Sequence, residues 1–351
     1  MFVSTKRITA CIKRSYHMPF KALWITETPD GKFERNIIER VIDDLPQGEV
    51  VIKVLYSSLN YKDALSATGN KGITRKYPHT PGIDAAGIVE ISRNEQFATG
   101  DEVIVTGYDL GMNTCGGFGE FIRVPAAWVV RKPHGYTLKE CMVLGTAGVT
   151  AAIGLHKMEL LGMSPERGPI VVTGATGGVG SMAIALLAKA GYEVIAVTGK
   201  SHAQEYLQFL GAAKIEDREF VNDHSGKALL RPHWAGAIDT VGGNTLLTLL
   251  KGCKPEGMVV STGLVSSPKF DATVYPFILN GVSLLGVGSA ETPMTTRLVI
   301  WDKFSDIWNI KDKLNAIAKE VTLDELSLTY IDSILQGKIM GRIVVKVAAD
   351  K

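Results

Sequence analysis

The chain has 351 residues, length for two domains at roughly 150 residues each. Hydrophobic residues make up 46% and charged residues 21%, which is ample for a core. A formal net charge of +2 gives no bulk attraction to nucleic acid or to an anionic membrane. The longest apolar run, Met142 to Leu155, falls short of the ~20 residues of a spanning helix, so a soluble protein is expected.

Residues 1–17 contain Lys6, Arg7, Lys13 and Arg14 and no acid. That composition fits an organellar transit peptide. The reading favoured over it is a natural start at Met18, where MPFKALWI begins, and a cytoplasmic protein. Either way the segment lies outside the fold. From Met18 to Thr137 short alternating strands such as GEVVIKVLYSS and GDEVIVTG are punctuated by glycine and proline, which predicts a compact, mostly β domain over 18–137. Over 138–290 helical stretches alternate with near-continuous apolar strands. The reading is an α/β domain, a doubly wound parallel sheet buried on both faces. Residues 291–351 add helices and a final strand, GRIVVKV, predicted to return to the β domain. Four cysteines, Cys11, Cys115, Cys141 and Cys253, are far apart with no CxxC pair. That spacing argues against a disulfide framework or a cysteine-rich zinc site, and for a reduced, intracellular compartment.

The segment VVTGATGGVGS sets Gly174 and the run Thr176, Gly177, Gly178, Val179, Gly180 between a strand and a helix. A helix start presents unpaired N–H groups and a positive dipole end, and glycine lets backbone approach a pyrophosphate. The next strand, EVIAVTGK, ends without the acid that would accept a ribose 2′-hydroxyl and repel a 2′-phosphate. Thr198 and Gly199 offer a hydroxyl and N–H groups, and Lys200 a positive charge. The expected cofactor is therefore NADPH.

These residues resemble the medium-chain dehydrogenase/reductase superfamily through GATGGVG and PGIDAAG (Pro81 to Gly87). More narrowly, SSLNYKDAL (Ser57 to Leu65), GTAGVTA (Gly145 to Ala151), WAGAIDTVGG and PFILNGVSLLGV resemble its zinc-free acrylyl-CoA reductase group, which includes YhdH/YhfP-type quinone oxidoreductases. The likeness runs from Met18 to about Val347. It implies a GroES-like catalytic domain around the Rossmann domain, an interdomain cleft for the nicotinamide, and a homodimer paired through the edge segment Val282 to Val287. Lys200 stands where members of the group carry arginine, so the bidentate fork is lost and selectivity for NADPH is expected to weaken. Zinc-dependent relatives place a His-Glu pair on the segment that here reads PGIDAAG, with Asp84 and no histidine. Alcohol dehydrogenation is accordingly not expected.

The resemblance implies hydride addition to the β-carbon of an activated alkene, with acryloyl-CoA giving propionyl-CoA. Quinone reduction is one alternative, and a non-catalytic NADPH- or RNA-binding protein another. Tyr61 is the candidate proton or hydrogen-bond donor, with cofactor contact near the nicotinamide as its rival role. Asp63 beside it reads as a structural acceptor more than a base. Thr240, Gly263, Leu264 and Leu284 are expected to line the cofactor, and Arg342 to reach a phosphate. Basic residues such as Arg75 or Arg123 would grip coenzyme A. His79, His134 and His233 show no ligand spacing, and the tryptophans Trp24, Trp128, Trp234 and Trp301 are scattered as core residues are.

Overall fold

The structure, a computed structural model, describes residues 18–348. The readings made of residues 1–17 lie outside it. Among the described residues the chain forms two compact units: 18–146 with 319–338 and 342–348, and 147–318 with 339–341.

The first unit opens with an antiparallel hairpin, β1 (Pro19–Glu27) and β2 (Phe33–Val41). Next come β3 (Val50–Leu59), helix α1 (Tyr61–Ala67), β4 (Asp84–Ser92), β5 (Glu102–Thr106), β6 (Phe121–Val124) and β7 (Val130–Arg131). Strand β3 is buried at every position but Lys53 because it is a central strand. It pairs antiparallel with β4 over Val50–Ser57 and with β6 over Val50–Lys53. The mostly β expectation is met. The helical segment α2 (Leu138–Leu160) is interrupted at Gly145, whose φ of 47° and ψ of −158° are not helical, and the first unit ends one residue later. By length and composition α2 could cross a membrane, contrary to the expectation from the apolar run. Yet 83% of its apolar window is buried inside the protein, the profile of a core helix.

In the second unit β8 (Ile170–Thr173), α3 (Gly178–Lys189), β9 (Val194–Val197), α4 (Gln204–Leu210), β10 (Lys214–Glu216), β11 (Trp234–Asp239), α5 (Gly243–Lys251), β12 (Cys253–Ser261), α6 (Tyr275–Asn280) and β13 (Ser283–Gly286) alternate. All six strands are parallel, in the order β10-β9-β8-β11-β12-β13. The order reverses between β8 and β11, the place where open α/β sheets bind ligands beyond the strand C-termini. Strands β8, β9 and β11 are buried at every residue, as covering helices on both faces require. Val171, Ile195, Ala237, Leu249 and Val259 share one core cluster.

Helices α7 (Met294–Ser305) and α8 (Lys311–Ile317) stay with the second unit. Lys303 of α7 reaches Glu159, and Arg297 donates to the Ser289 carbonyl. The return expected at 291 therefore comes at 319, with β15 (Arg342–Lys346) beside β3 and β14 (Ala318–Thr322) on the outer side of β15. The boundary expected at 137 falls at 146, inside α2, because helical patterning runs straight through it. None of Cys115, Cys141 and Cys253 forms a disulfide among the described residues.

Candidate active site

In the second unit the glycine turn joins β8 to α3. Gly174 has φ 56°, and a Cβ there would meet the Thr240 hydroxyl at 2.1 Å. A Cβ on Gly180 would come within 2.3 Å of the Gly174 carbonyl oxygen, so only glycine lets the helix start close against the turn. The N–H groups of the first helical turn, Gly178 to Gly180, have no intrahelical acceptor and are available to an anion. Thr176 is buried, and its carbonyl accepts the Gly341 N–H at 2.8 Å. Val179 is half-buried.

Thr240 follows β11. Its hydroxyl donates to the Thr173 carbonyl at 3.0 Å, and its N–H meets the Thr173 hydroxyl at 3.1 Å. Asp239, fully buried, accepts from Thr173, Val241 and Gly242, and burial pushes its carboxyl up. Gly263 packs on the Thr240 backbone, where a Cβ would lie 2.3 Å from the Thr240 carbonyl oxygen. Leu264 is 60% exposed and Leu284, on edge strand β13, is 37% exposed. Thr240 and Gly263 thus share the C-terminal edge of the sheet, whereas Leu284 lies along β13.

Strand β9 is followed by Thr198, Gly199 and Lys200. The Thr198 hydroxyl accepts the Lys200 N–H at 3.1 Å, and the ammonium donates to the Ile339 carbonyl at 2.8 Å. Burial and then the nearby Arg218 charge lower the lysine's pKa. Arg218 was not singled out in the sequence. It is exposed, and its guanidinium lies so close to Gly199 that a Cβ there would sit 2.5 Å from its Nε. The register Glu216↔Val197 between β10 and β9 brings it there. A cation just past the end of the neighbouring parallel strand was the available signal.

In the first unit Asn60 caps α1, and Tyr61 is its first residue, 41% exposed. Asp63 has no exposure. It accepts from the Asn60 N–H (2.8 Å) and side-chain amide (3.2 Å), and from the N–H groups of Gly82 (3.2 Å) and Ile83 (2.8 Å). Burial, with the Asp84 charge second, pushes its carboxyl up to about 7 against the pull of those donors. A carboxylate so enclosed anchors backbone. Its place among the catalytic candidates is corrected to a structural one.

Asp84 accepts from the Ser58 hydroxyl (2.7 Å), the Asn60 amide (2.8 Å) and the Thr146 hydroxyl (2.6 Å). Arg342 pairs with it at 3.6 Å and donates to the Val143 and Leu59 carbonyls, Asn60 Oδ1 and Ser58 Oγ. Register explains this: Ile343 opposes Leu59, so Arg342 faces the end of β3. Only 3% exposed and with its donors engaged inside the first unit, it is not free to reach a phosphate, and that expectation is corrected. Gly145 closes over the cluster; a Cβ there would lie 2.7 Å from Asp84 Oδ2. His79 is buried with its Nε2 at 3.0 Å from the Gly111 carbonyl oxygen, and His134 and His233 are exposed.

A glycine-cradled helix start at the switch of a parallel sheet, in a chain with a separate β unit, defines a two-domain dinucleotide-dependent dehydrogenase or reductase. Residues 46–134 match the family description "Alcohol dehydrogenase GroES-like domain" and residues 178–302 "Zinc-binding dehydrogenase". Acrylyl-CoA reductase AcuI of Ruegeria pomeroyi is 41% identical over 94% of this chain and 100% of that protein. The crystal structure of Bacillus subtilis YhfP with NAD bound has 44% identity and a TM-score of 0.90, covering 94% of this chain and 99% of that one. Salmonella enterica YhdH in complex with NADP has 40% identity and a TM-score of 0.90, covering 93% and 100%. The chain belongs to the medium-chain dehydrogenase/reductase family, in the group that contains AcuI, YhfP and YhdH.

One family description names zinc. Among the described residues no three His, Cys, Asp or Glu side chains are grouped to hold a metal. The paired carboxylates Asp63 and Asp84 are already met by N–H and O–H donors and by Arg342. That donor set does not fit zinc.

Proposed function

We propose that the protein is a zinc-independent, NADPH-dependent reductase of an activated C=C bond, with acryloyl-CoA as substrate and propionyl-CoA as product. The observation that carries the cofactor reading is the pair of cations, Lys200 and Arg218, flanking Gly199 where β9 ends without an acid. A 2′-phosphate dianion placed there would meet an ammonium, a guanidinium and the Thr198 hydroxyl, and Arg218 restores the fork that lysine at 200 lacks. The solved relatives frame the question, since YhfP was solved with NAD and YhdH with NADP. The first turn of α3 would take the diphosphate. Thr240 and Gly263 would border the nicotinamide side through hydroxyl and backbone.

When bound, the cofactor supplies the hydride. The chain's own residues must orient the thioester, stabilise charge developing on its oxygen and deliver a proton to the α-carbon. Tyr61, presented at the start of α1 by the Asn60–Asp63 clasp, is the candidate donor, directly or through a water. Identity to AcuI supports the thioester substrate, and the name of YhfP, which places it among the quinone oxidoreductases, supports a quinone as the competing one. Oxidation of NADPH followed at saturating acryloyl-CoA and at saturating benzoquinone decides between them. Thioester turnover at least tenfold above quinone turnover is expected, and the reverse order overturns the substrate.

The family resemblance also supports a homodimer. Among the described residues no strand pairs the outer side of β13, and Leu284 on it, with Ile278 and Leu279 on the preceding helix α6, are exposed apolar groups.

A further inference from the structure

The first unit holds a cationic cavity that the reaction above leaves unused. It has a volume of about 330 Å³ and is lined by Arg75, Lys76 and Asn113. We propose that it receives the phosphorylated adenosine end of a coenzyme A thioester, an inference that rests on the acyl-thioester reading.

Arg75 and Lys76 are both exposed, and neither has an ion-pair partner among the described residues. Neighbouring cations differ. Lys71 is paired with Glu27 and lies over the Phe33 and Tyr77 rings. Arg123, the other sequence candidate for gripping coenzyme A, is buried and donates to the Ile42 and Leu45 carbonyls, so it is withdrawn. The carboxylate of Asp109, on the turn that carries Asn113, is occupied by the Asn113 amide (2.8 Å) and the Thr114 hydroxyl (2.9 Å).

The two cations are not on a loose loop. Thr74 is fully buried, with its hydroxyl 2.7 Å from that of Ser66. The Tyr77 hydroxyl donates to the Ser66 carbonyl at 2.6 Å. Asn113 Oδ1 accepts the Arg75 N–H at 3.3 Å. Ser66 belongs to α1, the helix that begins with Tyr61. Arg75 and Lys76 therefore sit between two ties to the helix carrying the candidate proton donor. An anchored phosphate end would fix the thioester relative to that helix, with the ordering cost already met by the loop. A guanidinium and an ammonium together supply eight N–H donors, suited to a phosphate monoester beside a diphosphate. A quinone carries no such anion and would gain nothing here.

NADPH has phosphates of the same chemistry, so the test is run on the full chain saturated with NADP⁺. Adenosine 3′,5′-bisphosphate is titrated calorimetrically, and kcat/KM is compared for acryloyl-CoA and acryloyl-pantetheine, which share the reacting thioester. The wild type is expected to bind the bisphosphate, less tightly as salt rises, and to prefer the coenzyme A thioester. In Arg75→Ala/Lys76→Ala the binding heat should vanish and the preference fall about tenfold, as loss of two exposed charged contacts implies. Equal kcat/KM for the two thioesters in the wild type, or a preference and heat that survive the double substitution, overturns the site. Failure of both thioesters while a quinone turns over is recognisably a failure of the acyl-thioester reading, and the calorimetry then decides the cavity on its own.

Discussion

Of the residues Ser58 to Asp63, Tyr61 alone is exposed, and the others are buried or half-buried. This is the position expected of a side chain that meets substrate. Tyr61→Phe should lower kcat about a hundredfold, the usual scale for one proton donor, with the Kd for NADPH unchanged in a fluorescence titration. An unchanged kcat removes the hydroxyl from the chemistry. Arg342 makes the opposite case. Replacing it with methionine strands the buried Asp84 carboxylate and should cost about 3 kcal/mol in chemical denaturation, with the Kd for NADPH unaltered. Weakened NADPH binding at unaltered stability would restore it as a phosphate ligand. Lys200→Ala and Arg218→Ala should each weaken NADPH about tenfold and leave NADH within twofold, as loss of one charge-assisted contact predicts. The sequence made Lys200 visible because it adjoins the strand end. Arg218, eighteen residues further on, was passed over because its signal depends on strand β10, whose register with β9 puts it beside Gly199. Arg342 and Arg123 were misjudged for the same reason: whether a cation near a strand faces solvent or the interior depends on a pairing partner far away in the chain.

At the scale of elements, local patterning was most reliable where one segment decides its own conformation. The glycine turn, the strands β8, β9, β11 and β12 and the helices that follow the first three were legible, because their periodicity and glycine positions follow from backbone geometry alone, whereas the three-residue β10 and the short α6 were not read. Gly180→Ala tests the closest of these contacts. Its methyl would press on the Gly174 carbonyl, so the turn must open, with an expected loss of about 2 kcal/mol in stability. Cofactor affinity should fall with it, and a variant of unchanged Tm and Kd would show the close approach to be dispensable. Boundaries were less legible. Segment α2 reads as one helix, but it breaks at Gly145, where a side chain would meet Asp84, Arg342 and Ser58, groups contributed by three other elements.

For the whole molecule, the open edge of the six-stranded sheet is the feature that bears on assembly. If two copies pair along β13, Leu284→Asp places a charge in the seam, and light scattering should show a monomer with unaltered thermal stability of each chain. A mass already monomeric in the wild type rejects the pairing.

The brief segment Ile339–Gly341 has a consequence for cutting and splicing the gene. Its carbonyl at 339 and amide at 341 serve Lys200 and Thr176, while the very next residue, Arg342, completes the cluster around Asp84. A stop codon placed shortly before it would deprive both halves at once. Neither half is a contiguous stretch of chain, so an exchange of modules with a relative has to carry the tail along with the sheet it finishes.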